Sequence, residues 1–164
     1  DGVDIGVGIV TVDEIDDPET DMNGLTVAAQ VRAVAAVAES GDEAIVDAGD
    51  VSESRFGRRV REGVVGEGVE VTVTAEHGAD DSHRLAAAAS IVAKVERDSR
   101  MAAVGADYSE IGPVGSGYPS DPTTREFLAT YVDRHSELPA CARQSWSTSA
   151  DVLAAAEQAA LGDF

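Results

Sequence analysis

Three short β-branched stretches, residues 4–12, 44–46 and 69–75, most constrain what this chain can fold into. Each reads as a strand, and each is followed by enough chain to hold a helix and return to the same sheet. After the first stretch, residues 13–21 read as an acidic loop. Residues 25–39 are dominated by Ala, Val and Leu, which predicts a helix buried on one side, with Asn23 as N-cap and Gly41 just beyond its end. Residues 55–62 are charged and read as a loop or short helix. The third strand leads to the longest predicted helix, residues 85–103, which opens in alanines small enough to lie close to a sheet. A Gly/Pro-rich loop covers residues 112–122, and residues 123–135 and 149–161 read as helices, the second amphipathic. The alternation implies an α/β fold with parallel pairing and a helical last third packed at one end of the sheet.

Composition narrows the class. With 164 residues and 43% hydrophobic content the chain suits one domain with its own core. No apolar run approaches the roughly 18 residues of a membrane span. No basic start with an apolar stretch behind it marks a signal peptide, so the expectation is a soluble protein. The chain opens on Asp1-Gly2-Val3-Asp4 without Met, close to the first strand, which reads as a start with an upstream segment missing; a processed start is the alternative. Cys141 is the only cysteine, which excludes an internal disulfide and fits a reducing cytoplasm. It reads as a small buried hydrophobe rather than a nucleophile. Asp and Glu number 31 against 12 for Lys and Arg, a net charge of −19, and Lys94 is the only lysine. Ordered strand patterns argue against disorder. A surface of hydrated carboxylates instead suggests a halophilic cytoplasm, since at molar salt the Debye length falls to about 3 Å.

Two aspartates stand near strand ends, Asp47 after Ala44-Ile45-Val46 and Asp80 after the stretch that ends at Ala75. Ligands of open α/β sheets collect at the carboxyl ends of strands. Carboxylates converging there suit a hard divalent cation, although an aspartate after a strand is by itself more often a turn residue. Lys94 and Arg97 are three apart and share a helix face, with Ser90 one turn earlier. Two readings stay open for the cations: solvated salt bridges with Glu96 or Asp98, or a paired site for phosphate. Other chemistry finds little support. His77, His83 and His135 have no metal spacing, and no G-x-S-x-G elbow occurs. Residues 63–68 lack the Lys-Ser/Thr of a phosphate loop.

Three motifs carry a family resemblance. Residues 87–98, A-A-A-S-I-V-A-K-V-E-R-D, resemble the A-A-S-I-[IVL]-A-K-V-x-R-D signature of ribonuclease HII. Residues 115–122, G-S-G-Y-P-S-D-P, resemble that family's loop in its archaeal form, and residues 143–148, R-Q-S-W-S-T, resemble its archaeal R-x-S-W-x-T tail. The resemblance covers the chain from about residue 4 onward. It implies an α/β fold of the ribonuclease H type, a mixed sheet flanked by helices, five-stranded when complete. Residues 1–164 would form a single domain, incomplete at its N-terminal end, with residues 121–164 as the helical C-terminal part.

The implied activity is endonucleolytic hydrolysis of RNA in RNA–DNA hybrids, and of single ribonucleotides embedded in DNA, leaving 5′-phosphate and 3′-hydroxyl ends. The family holds two divalent ions, Mg²⁺ or Mn²⁺, with four carboxylates. The third, in a [IV]-D-[AGS] setting, corresponds to Asp47, and the fourth, ten residues before the signature serine, to Asp80 rather than its neighbour Asp81. Lys94 and Arg97 correspond to the contacts at substrate phosphates, Ser90 is expected to bind substrate beside them, and Tyr118 corresponds to the tyrosine that stacks on the sugar at the RNA–DNA junction. The implied partner is a hybrid duplex or DNA with an embedded ribonucleotide, met by a monomer in the cytoplasm and not at a membrane. The family's N-terminal D-E-[AV]-G-[RK]-G, source of the first two acids and of 2′-hydroxyl recognition, does not occur in these residues, nor does its D-S-K-K-L. The 164 residues alone are therefore expected to be inactive. Two alternatives belong to other classes: a catalytically inactive hybrid-binding fragment, and an unrelated acidic α/β interaction domain in which Asp47 and Asp80 are turn residues.

Overall fold

The computed structural model describes residues 2–162. The first β-branched stretch forms no strand: residues 2–11 carry no ladder, which corrects the strand expected over residues 4–12. A strand needs a neighbour to take its N–H and C=O groups, and no described strand pairs with this segment. It lies instead along a helix. A Cβ added at Gly8 would overlap the carbonyl of Ala29, and one at Gly6 that of Ala33, so backbone rests directly on backbone. Arg32 fastens the same segment by donating to the Ile9 carbonyl and pairing with Glu14.

The acidic stretch that follows is part helix. α1, Val12–Asp16, is closed by a capping box in which Thr11 N donates to Glu14 Oε2 at 2.9 Å. α2, Met22–Ala35, starts at Asp21 rather than Asn23, because Asp21 Oδ1 accepts from Gly24 N at 2.6 Å. β1, Glu43–Asp47, follows. The charged stretch after it is a full helix, α3, Glu53–Gly66, with Ser52 Oγ accepting from Arg55 N at 3.3 Å. Phe56, Val60 and Val64 recur every fourth residue and are 0% exposed, which is why the segment folds as a helix despite its charge. Each contributes about 1.5–3 kcal/mol of apolar burial.

β2, Thr72–Glu76, pairs with β1 in parallel, with Glu43 opposite Thr72 and Asp47 opposite Glu76. α3 supplies the crossover that a parallel pair requires. One further turn of helix, α4, Ala79–Ser82, precedes α5, Arg84–Asp107. Asp80 therefore sits on α4, past the strand end where the sequence placed it. α6, Pro122–His135, is capped by Asp121, and α7 spans Ser147–Gly162. The architecture is α/β, with helices flanking a parallel pair.

The chain groups into two compact units, divided within α5 between Lys94 and Val95. The first has a core of Val27, Val31, Val46, Phe56, Val60, Val64 and Val71. The second is centred on Val114, Phe127, Leu128 and Ala142, with Tyr108 edge-on to Phe127 at 5.6 Å between centroids. Cys141 packs against this second core, and burial pushes its thiol pKa up, as suits a small hydrophobe. No helix among the described residues is long and apolar enough to cross a membrane.

Candidate active site

The first unit holds the carboxylates. Asp47 is the last residue of β1 and is exposed. Beyond β2, Gly78 takes the left-handed conformation (φ 65°), where glycine meets no Cβ penalty. That turn aims two successive amides at one oxygen: Asp47 Oδ1 accepts from Gly78 N at 2.9 Å and from Ala79 N at 3.3 Å. Ala79 is 0% exposed, which anchors the turn, and Asp80 follows it. Asp47, Asp80 and Ser90 line one open groove of about 330 Å³, together with Gln30 and apolar residues of α2, β1 and α5. Asp81 is exposed and does not line it.

Several residues around this groove escaped the sequence reading. Gln30 donates through Nε2 to the Asp47 carbonyl at 2.9 Å, which fixes its amide, while its Oε1 is buried in the groove wall with no donor among the described residues. A lone glutamine in an Ala/Val helix was the available signal. His77 supports the turn that grips Asp47. Its ring faces the Asp50 carbonyl at 2.7 Å and the Glu53 carboxylate at 2.9 Å, and its amide donates to Glu53 at 2.7 Å. The Asp50 carbonyl foremost, then Glu53, raises the His77 pKa. Asp50 itself is 6% exposed and accepts from Arg55 Nε at 2.8 Å, a hydrogen bond that holds its carboxyl below the ordinary range. His83 meets Glu76 at 2.8 Å.

These groups fit a hard cation in part. Asp47 and Asp80 offer oxygen to an accessible groove, as Mg²⁺ or Mn²⁺ would require. Among the described residues, no three His, Cys, Asp or Glu side chains converge as a complete site. The carboxylates that line this groove are Asp47 and Asp80.

The cations divide between the units. Lys94 closes the first; it is exposed and has no ion-pair partner among the described residues. The nearby acids are engaged with arginines, Glu96 with Arg100 at 2.7 Å and Asp98 with Arg97 at 3.4 Å. Arg97 belongs to the second unit, where its Nη2 donates to the Ser116 carbonyl at 2.7 Å and its guanidinium lies 4.5 Å from the Tyr118 ring centroid. Tyr118 remains 54% exposed.

A family model described as Ribonuclease HII matches residues 7–149. The chain belongs to the ribonuclease HII family. Among its relatives in that family, the Ribonuclease HII of Halobacterium salinarum is 61% identical over 160 residues, which is 98% of this chain and 73% of that protein. The Ribonuclease HII of Haloarcula marismortui is 59% identical over the same shares. The crystal structure of the ribonuclease H2 from Pyrococcus horikoshii OT3 superposes with a TM-score of 0.79 at 35% identity, over 91% of this chain and 68% of that one.

Proposed function

We propose that this chain contributes to an endonuclease that hydrolyses the RNA strand of RNA–DNA hybrids and cuts at single ribonucleotides embedded in DNA. The observation that carries the reading is the shared groove: in a ribonuclease HII chain, Asp47, Asp80 and Ser90, from three separate elements, line one open cleft. Asp47 and Asp80 would hold divalent cations, Mg²⁺ or Mn²⁺. Bound there, two such ions would supply an activated water and charge stabilisation at the leaving 3′-oxygen, and the products would carry 5′-phosphate and 3′-hydroxyl ends. The amides of Gly78 and Ala79 fix Asp47 Oδ1, so the ligand does not reorganise on binding. Lys94, exposed and without an ion-pair partner among the described residues, serves a substrate phosphate as a point charge. Ser90 contributes a hydroxyl to the same groove. Arg97 keeps donors beyond the one given to Ser116 and adds positive charge near the duplex. Tyr118 offers an exposed ring to the junction sugar.

Residues 1–164 supply two of the four acids that the reading requires, so they should not cleave by themselves. Contacts to phosphate bind ground and transition states alike and cannot replace the missing ions. Weak hybrid binding would persist and fall steeply with salt. The test is cleavage of a duplex carrying one ribonucleotide, with Mn²⁺, by this chain and by a version extended with a family D-E-x-G-[RK]-G segment. Product from the extended version alone is expected. Equal cleavage by both would mean that other acids complete the ligand set. Asp50 and Glu76, three and four residues from the two ligands, are already committed to Arg55 and His83.

A further inference from the structure

Tyr118 lies in a loop whose shape is set from the start of α6. Gly115 (φ 76°) and Gly117 (φ 77°) both take left-handed conformations. A Cβ at Gly115 would stand 2.7 Å from Thr124 Oγ1 and 2.8 Å from Asp121 Oδ2, so the loop is seated tightly on those two side chains. Asp121 Oδ2 accepts from both Ser116 N and Ser116 Oγ at 2.6 Å, while Oδ1 accepts from Thr123 N at 2.9 Å. These donors, Ser116 foremost, hold the Asp121 pKa down to about 2, so the carboxylate stays ionised at working pH. Thr124 is 4% exposed; its Oγ1 donates to the Val114 carbonyl at 3.0 Å and accepts from Gly117 N at 3.0 Å. The two residues immediately before Tyr118 are thus tied down, and Arg125 Nε ties the residue after it by donating to the Pro119 carbonyl at 2.7 Å. Arg97 covers part of the ring, and the rest is open.

We propose that Asp121 and Thr124 are positioning residues, which fix residues 115–117 so that the open part of the Tyr118 ring meets the sugar at the RNA–DNA junction. Neither would touch the substrate. The inference rests on the reading of Tyr118 as the sugar platform. A ring held in advance adds no ordering cost when the duplex docks.

A double-mutant cycle in the extended version tests both layers, read as kcat/KM on a duplex with one ribonucleotide. Thr124→Val keeps the shape, removes the hydroxyl and takes this partner from the buried Val114 carbonyl and the half-buried Gly117 amide. It and Tyr118→Ala should each lower kcat/KM by about tenfold. Thr124→Ser should restore activity to within about twofold, and Thr124→Val added to Tyr118→Ala should cost less than about twofold more. If Thr124→Val costs as much in the Tyr118→Ala background as in the parent, the hydroxyl acts elsewhere and the positioning role is wrong. If Tyr118→Ala is impaired while Thr124→Val and Asp121→Asn are both active, the loop does not depend on these anchors, again overturning it. If Tyr118→Ala cleaves normally, the platform reading falls and takes this inference with it. Should Thr124→Val fail to fold, Asp121→Asn takes its place in the cycle, with the same outcomes.

Discussion

A histidine whose two ring nitrogens both face oxygen acceptors satisfies them only when doubly protonated. His77 is such a residue, between the Asp50 carbonyl and the Glu53 carboxylate. Its folded pKa is raised above the ordinary 6.5. The stability it contributes is therefore complete below about 6.5 and is lost as pH rises through the raised folded value. The melting temperature of the parent, minus that of His77→Gln, should be largest near pH 6 and shrink towards pH 9. A gap that grew with pH would show that the ring works as a neutral group. The sequence disclosed His77 only as a histidine without metal spacing. Its main partner is a backbone oxygen 27 residues away, and sequence pattern does not register such an atom. Gln30 was hidden for the same reason, since it too binds a main-chain carbonyl. Asp47, Asp80, Ser90, Lys94, Arg97 and Tyr118 could be picked out beforehand because each stands in a motif.

At the scale of elements, α5 and α6 were legible, expected over residues 85–103 and 123–135 and found at Arg84–Asp107 and Pro122–His135. α3 was under-read because its charged face dominates the sequence, while the buried side chains of Phe56, Val60 and Val64 decide the structure. The strand expected over residues 4–12 failed for a different reason. Its β-branched composition favours a ladder, but composition supplies no partner, and the segment settles on α2 through two glycines instead. That packing gives a contrast. Gly8→Ala would press a methyl into the Ala29 carbonyl and should cost about 1–3 kcal/mol. Gly66→Ala, at the end of α3 with nothing within 4 Å, should be neutral or stabilising by up to about 1 kcal/mol. Urea unfolding of both variants checks this. Equal effects would mean that the 2–11 segment does not rest on α2 as described.

On the scale of the whole chain, 31 acids against 12 basic residues leave a net charge of −19. Carboxylates repel one another across about 30 Å at 0.01 M salt and only about 3 Å at 1 M. Circular dichroism during dialysis from molar to millimolar KCl should therefore show loss of structure, and an unchanged melting temperature would contradict the salt-adapted reading. Family membership was legible because three motifs recur in order, and the match over residues 7–149 agrees with them. The metal-holding roles of Asp47 and Asp80 are the central claim, and substitution tests them most directly. In the extended version, Asp47→Asn and Asp80→Asn keep shape and remove charge, so each should abolish Mn²⁺-dependent cleavage of a duplex with one ribonucleotide, while hybrid binding survives. Asp81→Asn, outside the groove, should cleave almost as the parent does. An essential Asp81 beside a dispensable Asp80, or full activity in Asp47→Asn, would contradict the account.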